Sequence, residues 1–241
     1  MINLVIDIGN TQSKIAVFED SQIVDFQVKK SVTISCLKDC FHKYKIDNTI
    51  ISSVSVSVRE ISSFLEANSC LIEFDANTYQ HINFDYQTLN TLGKDRIAGV
   101  IGATEFLPDD DLLVVDIGSC ITYDVLTKDS VFVGGNIAPG LYMRLKAMHD
   151  YTAKLPMVYA NEAKELLAKN TKDALFNGAF WGIVFEINTY FDKLQEVYPN
   201  IKVVLTGGDA HYFEKSIKQC NFVNSKLVLV GLNKVIVSVV D

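Results

Sequence analysis

Two stretches of this chain repeat one pattern. Residues 2–18, INLVIDIGNTQSKIAVF, hold an apolar run, an Asp-Ile-Gly triplet, hydroxyl-bearing residues and a second apolar run; residues 112–125, LLVVDIGSCITYDV, follow the same order. The runs are rich in β-branched and aromatic residues, and a short polar interval between two such runs predicts a β-hairpin in each copy. Reversal of the chain needs a glycine able to take positive φ. It does not need an acid at the strand end and a lysine at the exit, yet the first copy has both, as Asp7 and Lys14. Backbone N–H groups around Gly9, Asn10 and Thr11, the hydroxyls of Thr11 and Ser13, and the Lys14 ammonium can all converge on one anionic group. Asp7 can hold Mg²⁺ through water, because Mg²⁺ prefers a few carboxylates together with phosphate oxygens. Alone, the hairpin reads equally well as an ordinary acidic tip. The pair is more specific: Asp7-Ile8-Gly9 and Asp116-Ile117-Gly118 stand at matching points, which predicts two related halves with a nucleotide cleft between them.

Length and composition set the bounds. The chain has 241 residues, one large or two small domains, and its 49% hydrophobic and 21% charged content can fill two cores without a disorder signature. A net charge of −7 speaks against a non-specific nucleic-acid surface and against binding to anionic membranes. It leaves nucleotide binding open, since a few local N–H groups and one lysine outweigh the global charge. No basic region precedes an apolar core at the start, and no apolar run approaches membrane-spanning length. Five cysteines, odd in number and scattered, predict reduced thiols and a cytoplasmic setting. Cys36 and Cys40 would share a helix face, but no second pair stands at zinc-ligand spacing.

Between the two copies, Gly93-Lys94-Asp95-Arg96 precedes a stretch of helical spacing over 97–106, which places the tetrapeptide at a helix N-terminus, where N–H groups and the dipole favour anions. Charged residues at such a point are usually solvated caps; here they lie where a substrate would be expected. Residues 75–92 read as a loop, and its Tyr86 is by itself a surface-packing tyrosine. Leu107-Pro108 and the three aspartates after it mark a boundary, giving halves 1–108 and 109–241. In the second half, Asp124 reads equally as a cleft residue or a paired strand acid. Gly134 and Gly135 allow close approach to a ligand, and Pro139 suits the start of a helix over 141–149. A helix is expected over 160–168 and a long one after 170, with Thr171 as N-cap. Gly178 and Gly182 around Trp181 suggest close helix packing. Residues 201–205 form a strand ending in a Thr-Gly-Gly-Asp turn, and residues 223–240 a short strand and an apolar helix.

Residues 7–14 (DIGNTQSK), 93–96 (GKDR), 116–119 (DIGS) and 134–156 (GGNIAPGLYMRLKAMHDYTAKLP) resemble, in order and almost end to end, the motif series of the type III pantothenate kinases. These belong to the superfamily of acetate and sugar kinases, heat-shock ATPases and actin. The resemblance implies an α/β fold of α+β character made of two ribonuclease H-like halves. It also implies ATP-dependent phosphorylation of the primary hydroxyl of pantothenate to 4'-phosphopantothenate, the first step of coenzyme A biosynthesis. ATP with Mg²⁺ would lie over Asp7, Ile8, Gly9, Asn10, Thr11, Gln12, Ser13 and Lys14, with Asp7 reaching Mg²⁺ through water. Ser119, where threonine is usual, would supply an ATP-contacting hydroxyl, and Asp116 would bind a monovalent cation, K⁺ or NH₄⁺. Asp95 would be the base that accepts the substrate hydroxyl's proton. Arg96 would pair with the pantothenate carboxylate, to which a guanidinium fork is suited. Tyr86, Gly93 and Lys94 would line the same pocket, and Thr171 would reach it across a homodimer interface. Asn136 stands where the family more often has a small residue, and the sequence does not explain it. Another small-molecule kinase of the superfamily and a non-catalytic regulatory relative remain as alternatives. The GKDR and GGNIAPG stretches count against the first, and intact Asp7, Lys14, Asp95 and Asp116 against the second.

Overall fold

The computed structural model describes residues 1–9, 11–53, 59–159 and 165–240, and the chain falls into two compact units. Unit 1 comprises Met1–Pro108, Ser130–Phe132 and Lys226–Asp241; unit 2 comprises Asp109–Asp129 and Val133–Ser225. The expected halves change partners at two places. The last helix and a three-residue strip group with the first unit, although the expected second half included both.

Unit 1 holds strands β1 (Ile2–Ile8), β2 (Ser13–Glu19), β3 (Gln22–Lys29), β4 (Asn48–Ser53) and β5 (Cys70–Glu73) in the order β3-β2-β1-β4-β5. The first three form an antiparallel meander, and β4 and β5 continue parallel to β1. Alternation along β1 sends Leu4 and Ile6 into a core with Leu37 and Cys40 of α1 (Ile34–Lys43) and Leu65 of α2 (Arg59–Glu66). Thr33 caps α1 in a reciprocal box with Cys36. Asn3 and Val5 point to the other face, which Asn3 identifies by donating from Nδ2 to Oδ1 of Asn233 on α7 (Leu227–Val240), 2.9 Å away. Helix α7 packs on α3 (Lys94–Ala103) so closely that a Cβ on Gly231 would overlap the Ala98 carbonyl. That contact returns the C-terminal helix to unit 1.

Residues 75–92 are mostly loop but carry a two-residue strand, β6 (Asn83–Phe84), parallel to Val131–Phe132. The Asn83 N–H donates to the Ser130 carbonyl and the Asp85 N–H to that of Phe132, both at 2.9 Å.

Unit 2 repeats the strand order of unit 1. Strands β7 (Leu112–Ile117), β8 (Cys120–Leu126), β9 (Val131–Pro139), β10 (Lys202–Thr206) and β11 (Cys220–Val223) run β9-β8-β7-β10-β11, with β7–β8 antiparallel and β10 and β11 parallel to β7. Leu113, Val115 and Ile117 pack against Phe176, Phe180, Ile183 and Ile187 of the long helix α5 (Thr171–Gln195). The helix α4 (Leu141–Asp150) follows β9, and the short α6 (Ala210–Phe213) follows β10. The N-cap of α5 is Asn170, whose Oδ1 accepts the Asp173 N–H at 3.0 Å, so Thr171 is the first helical residue rather than the cap. Of the helix expected over 160–168, residues 160–164 lie outside the described residues and 165–168 are not helical. The Glu165 carbonyl instead accepts from Asn177 Nδ2 at 2.7 Å and Trp181 Nε1 at 3.3 Å. Among the described residues no helix is long and apolar enough to cross a membrane.

Candidate functional site

In unit 1, alternation puts Asp7 on the face shared with Asn3 and Val5, at the end of β1. It stands opposite Lys14 in the antiparallel register and beside Ser52 in the parallel one. Burial pushes the Asp7 carboxyl up to about 6; Lys14 works against the shift and the Asp95 carboxylate adds to it. The Asp95 carboxylate, distant in sequence, is therefore near enough to act on Asp7, by less than burial or Lys14 does. The loop between β1 and β2 closes through the Gly9 N–H, which donates to the Gln12 carbonyl at 3.2 Å. That group was expected to face an anion and is instead engaged within the turn. Thr11 and Gln12 are exposed, Ser13 is buried, and Asn10 lies outside the described residues.

Gly93 is the N-cap of α3, so the GKDR tetrapeptide does open a helix. Asp95 folds back over the helix start: its Oδ1 accepts the Arg96 N–H at 2.9 Å and would lie 2.5 Å from a Cβ on Gly93. Only glycine leaves this carboxylate its place. Lys94 is half-buried beside the exposed Asp95. Arg96 is 6% exposed, and its guanidinium carbon lies 5.9 Å from the ring centres of both Tyr86 and Phe132. These rings meet edge to face, 5.9 Å apart. Phe132 carries no motif signal and could not be found from the sequence; the β6–β9 pairing brings it to Arg96.

In unit 2, Asp116 stands on β7 between Thr122 of β8 and Thr206 of β10. Gly207 follows with φ 95°, and a Cβ on it would lie 2.5 Å from Asp116 Oδ1. Next to it, the Asp209 N–H donates to the Ile117 carbonyl at 3.0 Å, and burial raises the pKa of the Asp209 carboxyl. Ser119 is exposed at the β7–β8 turn, which the Gly118 N–H closes onto the Cys120 carbonyl at 3.0 Å. Gly140 lies against this turn. Its N–H donates to the Ser119 carbonyl at 3.1 Å, and a Cβ on it would overlap the Gly118 carbonyl oxygen.

Thr171 is exposed at the start of α5, and Asp124 is buried in β8. Asn136 lines a cavity of about 210 Å³ with Tyr123, Tyr190 and Tyr198. Unit 1 thus gathers Asp7, Lys14, Tyr86, Gly93, Asp95 and Arg96; unit 2 gathers Asp116 and Ser119 with the glycines that frame them. Among the described residues no three His, Cys, Asp or Glu side chains cluster as a metal cage.

Residues 3–193 match the family model of the type III pantothenate kinases. The chain is 37% identical to the type III pantothenate kinase of Phocaeicola vulgatus over 238 residues, which cover 98% of each chain. It is 35% identical to that of Bacteroides fragilis strain YCH46 over 246 residues, 98% of this chain and 97% of that one. In fold it is similar to the activator of 2-hydroxyisocaproyl-CoA dehydratase from Clostridium difficile, solved with bound ADPNP. There the TM-score is 0.52 at 13% identity, over 99% of this chain and 97% of the other.

Proposed function

The chain belongs to the type III pantothenate kinase family, enzymes that phosphorylate pantothenate with ATP on the way to coenzyme A, and from that premise we propose how its residues divide the reaction. The observation that carries the assignment is the placing of Asp7 across the strand pair from Lys14 and of Asp95 at the start of α3, which supports a site where positive charge is brought in with the substrates. Bound ATP with Mg²⁺ supplies the γ-phosphoryl group and that charge, and in a loose transition state positioning and neutralisation do most of the work. Lys14 and the exposed part of the 9–12 loop hold the phosphates. Asp7 reaches Mg²⁺ through water, since Mg²⁺ keeps several waters and takes few carboxylates beside phosphate oxygens. Asp95, with Oδ1 held by the Arg96 N–H, turns Oδ2 to the primary hydroxyl of pantothenate. It takes the proton as that oxygen bonds to the γ-phosphorus and the bridging oxygen leaves with ADP. Arg96, shielded by Tyr86 and Phe132, pairs with the pantothenate carboxylate, while Gly93 and Lys94 complete its pocket.

In unit 2, Ser119 contacts ATP, and Asp116 binds K⁺ or NH₄⁺. The strand neighbours of Asp116, Thr122 and Thr206, bring hydroxyl oxygens and no positive charge, a set suited to a hard monovalent cation. Thr171 completes the pantothenate site of a second copy in a cytoplasmic homodimer. The α5 face supports that pairing: Gly178 has open space over it, Phe185 is 53% exposed, and a cavity of about 470 Å³ runs from Gly182 to Lys193.

Transfer of labelled phosphate from ATP to pantothenate, measured with Mg²⁺ and with or without K⁺, tests the reading. Transfer should require the monovalent cation, and Asp95→Asn should lower turnover by about 10²- to 10⁴-fold, the range for a positioned base. Near-normal turnover in that variant removes Asp95 from the role.

A further inference from the structure

The second unit contains a polar network that the assigned reaction does not use. Glu186 lies in the middle of α5, and both of its carboxylate oxygens are engaged. Oε1 accepts the hydroxyl of Tyr123 on β8 at 3.0 Å, and Oε2 accepts Nη2 of Arg144 on α4 at 2.6 Å. The Tyr123 ring is buried and stacked on Tyr190, with centres 4.4 Å apart, which fixes the hydroxyl's direction. Arg144 then reaches onward, donating from Nε to the Pro139 carbonyl at 2.8 Å. Pro139 ends β9, and the next residue, Gly140, donates its N–H to the Ser119 carbonyl. A continuous path of short polar contacts therefore runs from α5 through one guanidinium to the turn that carries Ser119.

We propose that Glu186 and Arg144 are positioning residues that hold the Pro139–Gly140 corner against the Gly118–Ser119 turn and so set the enzyme's requirement for ATP. The inference rests on the assignment of Ser119 to ATP. Three features favour a brace over an ordinary surface ion pair. The two side chains are only 22% and 27% exposed, so solvent screens them incompletely. Arg144 acts as a fork, with Nη2 on the carboxylate and Nε on the backbone, which an ammonium cannot reproduce in that geometry. And the acid is fixed from its other side: Tyr123, itself stacked on Tyr190, donates its hydroxyl to Oε1 while Arg144 takes Oε2. Gly140 has no space for a side chain, so backbone bonds hold it: its N–H reaches Ser119 on one side, and on the other Arg144 donates from its own N–H to the Gly140 carbonyl and from Nε to the Pro139 carbonyl.

The test is a kinetic comparison of Arg144→Lys, Glu186→Gln and Ser119→Ala, alone and combined, with melting temperature followed in parallel. Arg144→Lys keeps the charge beside Glu186 and loses the bond to Pro139. Glu186→Gln is nearly isosteric and serves if the first variant does not fold. Each should raise KM for ATP by about 5- to 20-fold, the loss expected for one or two hydrogen bonds, and leave KM for pantothenate within about twofold. In the Ser119→Ala background, Arg144→Lys should add less than about twofold, since both act through one contact. If Ser119→Ala alone raises KM for ATP while the brace variants do not, the brace is structural only and the proposal fails while the Ser119 assignment stands. Equal rises in both KM values would also overturn it. An unchanged KM for ATP in Ser119→Ala would remove the assignment and the brace together.

Discussion

Asp7 is maintained against its surroundings, and replacing it should make unit 1 more stable. The carboxyl titrates near 3.8 when free and near 6 in the fold, with burial as the largest cause, Lys14 opposing and Asp95 adding. A difference of about two units at about 1.4 kcal/mol each gives roughly 3 kcal/mol, and partial exposure of the group reduces this to about 1–3 kcal/mol. The sign follows from proton binding. Between pH of about 4 and 6 the folded state holds the proton more tightly than the unfolded state, so the group's contribution to stability is fully present below about 4. It is lost as pH rises through about 6 and stays flat above. Asparagine has no such titration. Asp7→Asn should therefore match the parent at pH 4 and exceed its stability by about 1–3 kcal/mol at pH 7.5, while losing turnover.

Hydrogen exchange at the amides of Val5 and Ile6 in β1 reads this directly, with parent and variant compared at each pH. The single tryptophan, Trp181, belongs to unit 2 and would report on the wrong unit. Protection in the variant should rise about 5- to 150-fold at pH 7.5, and the gain should shrink toward pH 4. Equal or lower protection in the variant at pH 7.5, or a gain that does not change with pH, would refute the account of Asp7 as a buried, repelled acid.

Lys14→Ala should raise KM for ATP more than KM for pantothenate, because the ammonium stands across the strand pair from Asp7, beside the loop proposed to hold the phosphates; the reverse pattern in steady-state kinetics would misplace the phosphates. Gly207→Ala puts a side chain at φ 95°, against the Ile117 carbonyl and the Asp116 carboxylate. It should cost about 1–3 kcal/mol and raise the K⁺ concentration needed for half-maximal activity. An unchanged melting temperature together with unchanged K⁺ dependence would separate Asp116 from the cation.

Sequence showed the parts of this protein that are set locally. Both Asp-Ile-Gly hairpins were legible because strand, turn and strand follow one another, and the GKDR helix start was legible for the same reason. Contacts between distant segments were not. The return of α7 to unit 1 depends on Gly102 and Gly231, each ordinary in its own helix and meaningful only when the two helices meet. The two-residue β6 has no periodicity to detect, yet its pairing carries Tyr86 to Phe132 and Arg96. Asn170 and Thr171 are both good caps, and adjacent candidates differ only in which backbone leaves the helix first. Residues 165–168 are not helical, and the Glu165 carbonyl accepts from Asn177 and Trp181 of α5, a tertiary contact that no local pattern announces.

The two units share one supersecondary pattern and differ in what surrounds its acid. Their strand orders are the same, 3-2-1-4-5 and 9-8-7-10-11, and Asp7 and Asp116 occupy equivalent places, one residue before the end of the first strand. Each acid has a hydroxyl residue beside it on the parallel strand, Ser52 or Thr206. The antiparallel neighbour differs: Lys14 in one unit and Thr122 in the other. The loop also differs. In unit 1 the last strand pair, Ile8 with Ser13, encloses four residues, 9–12; in unit 2 Ile117 pairs with Ile121 and encloses three, 118–120. A longer loop ending at a lysine offers room and charge for an anion. A tighter turn, whose acid faces threonine across the strand pair, offers oxygen atoms and negative charge for a cation. On the proposed assignment the same backbone geometry would serve phosphate in one copy and a monovalent ion in the other, the choice resting on one cross-strand residue and one residue of loop length.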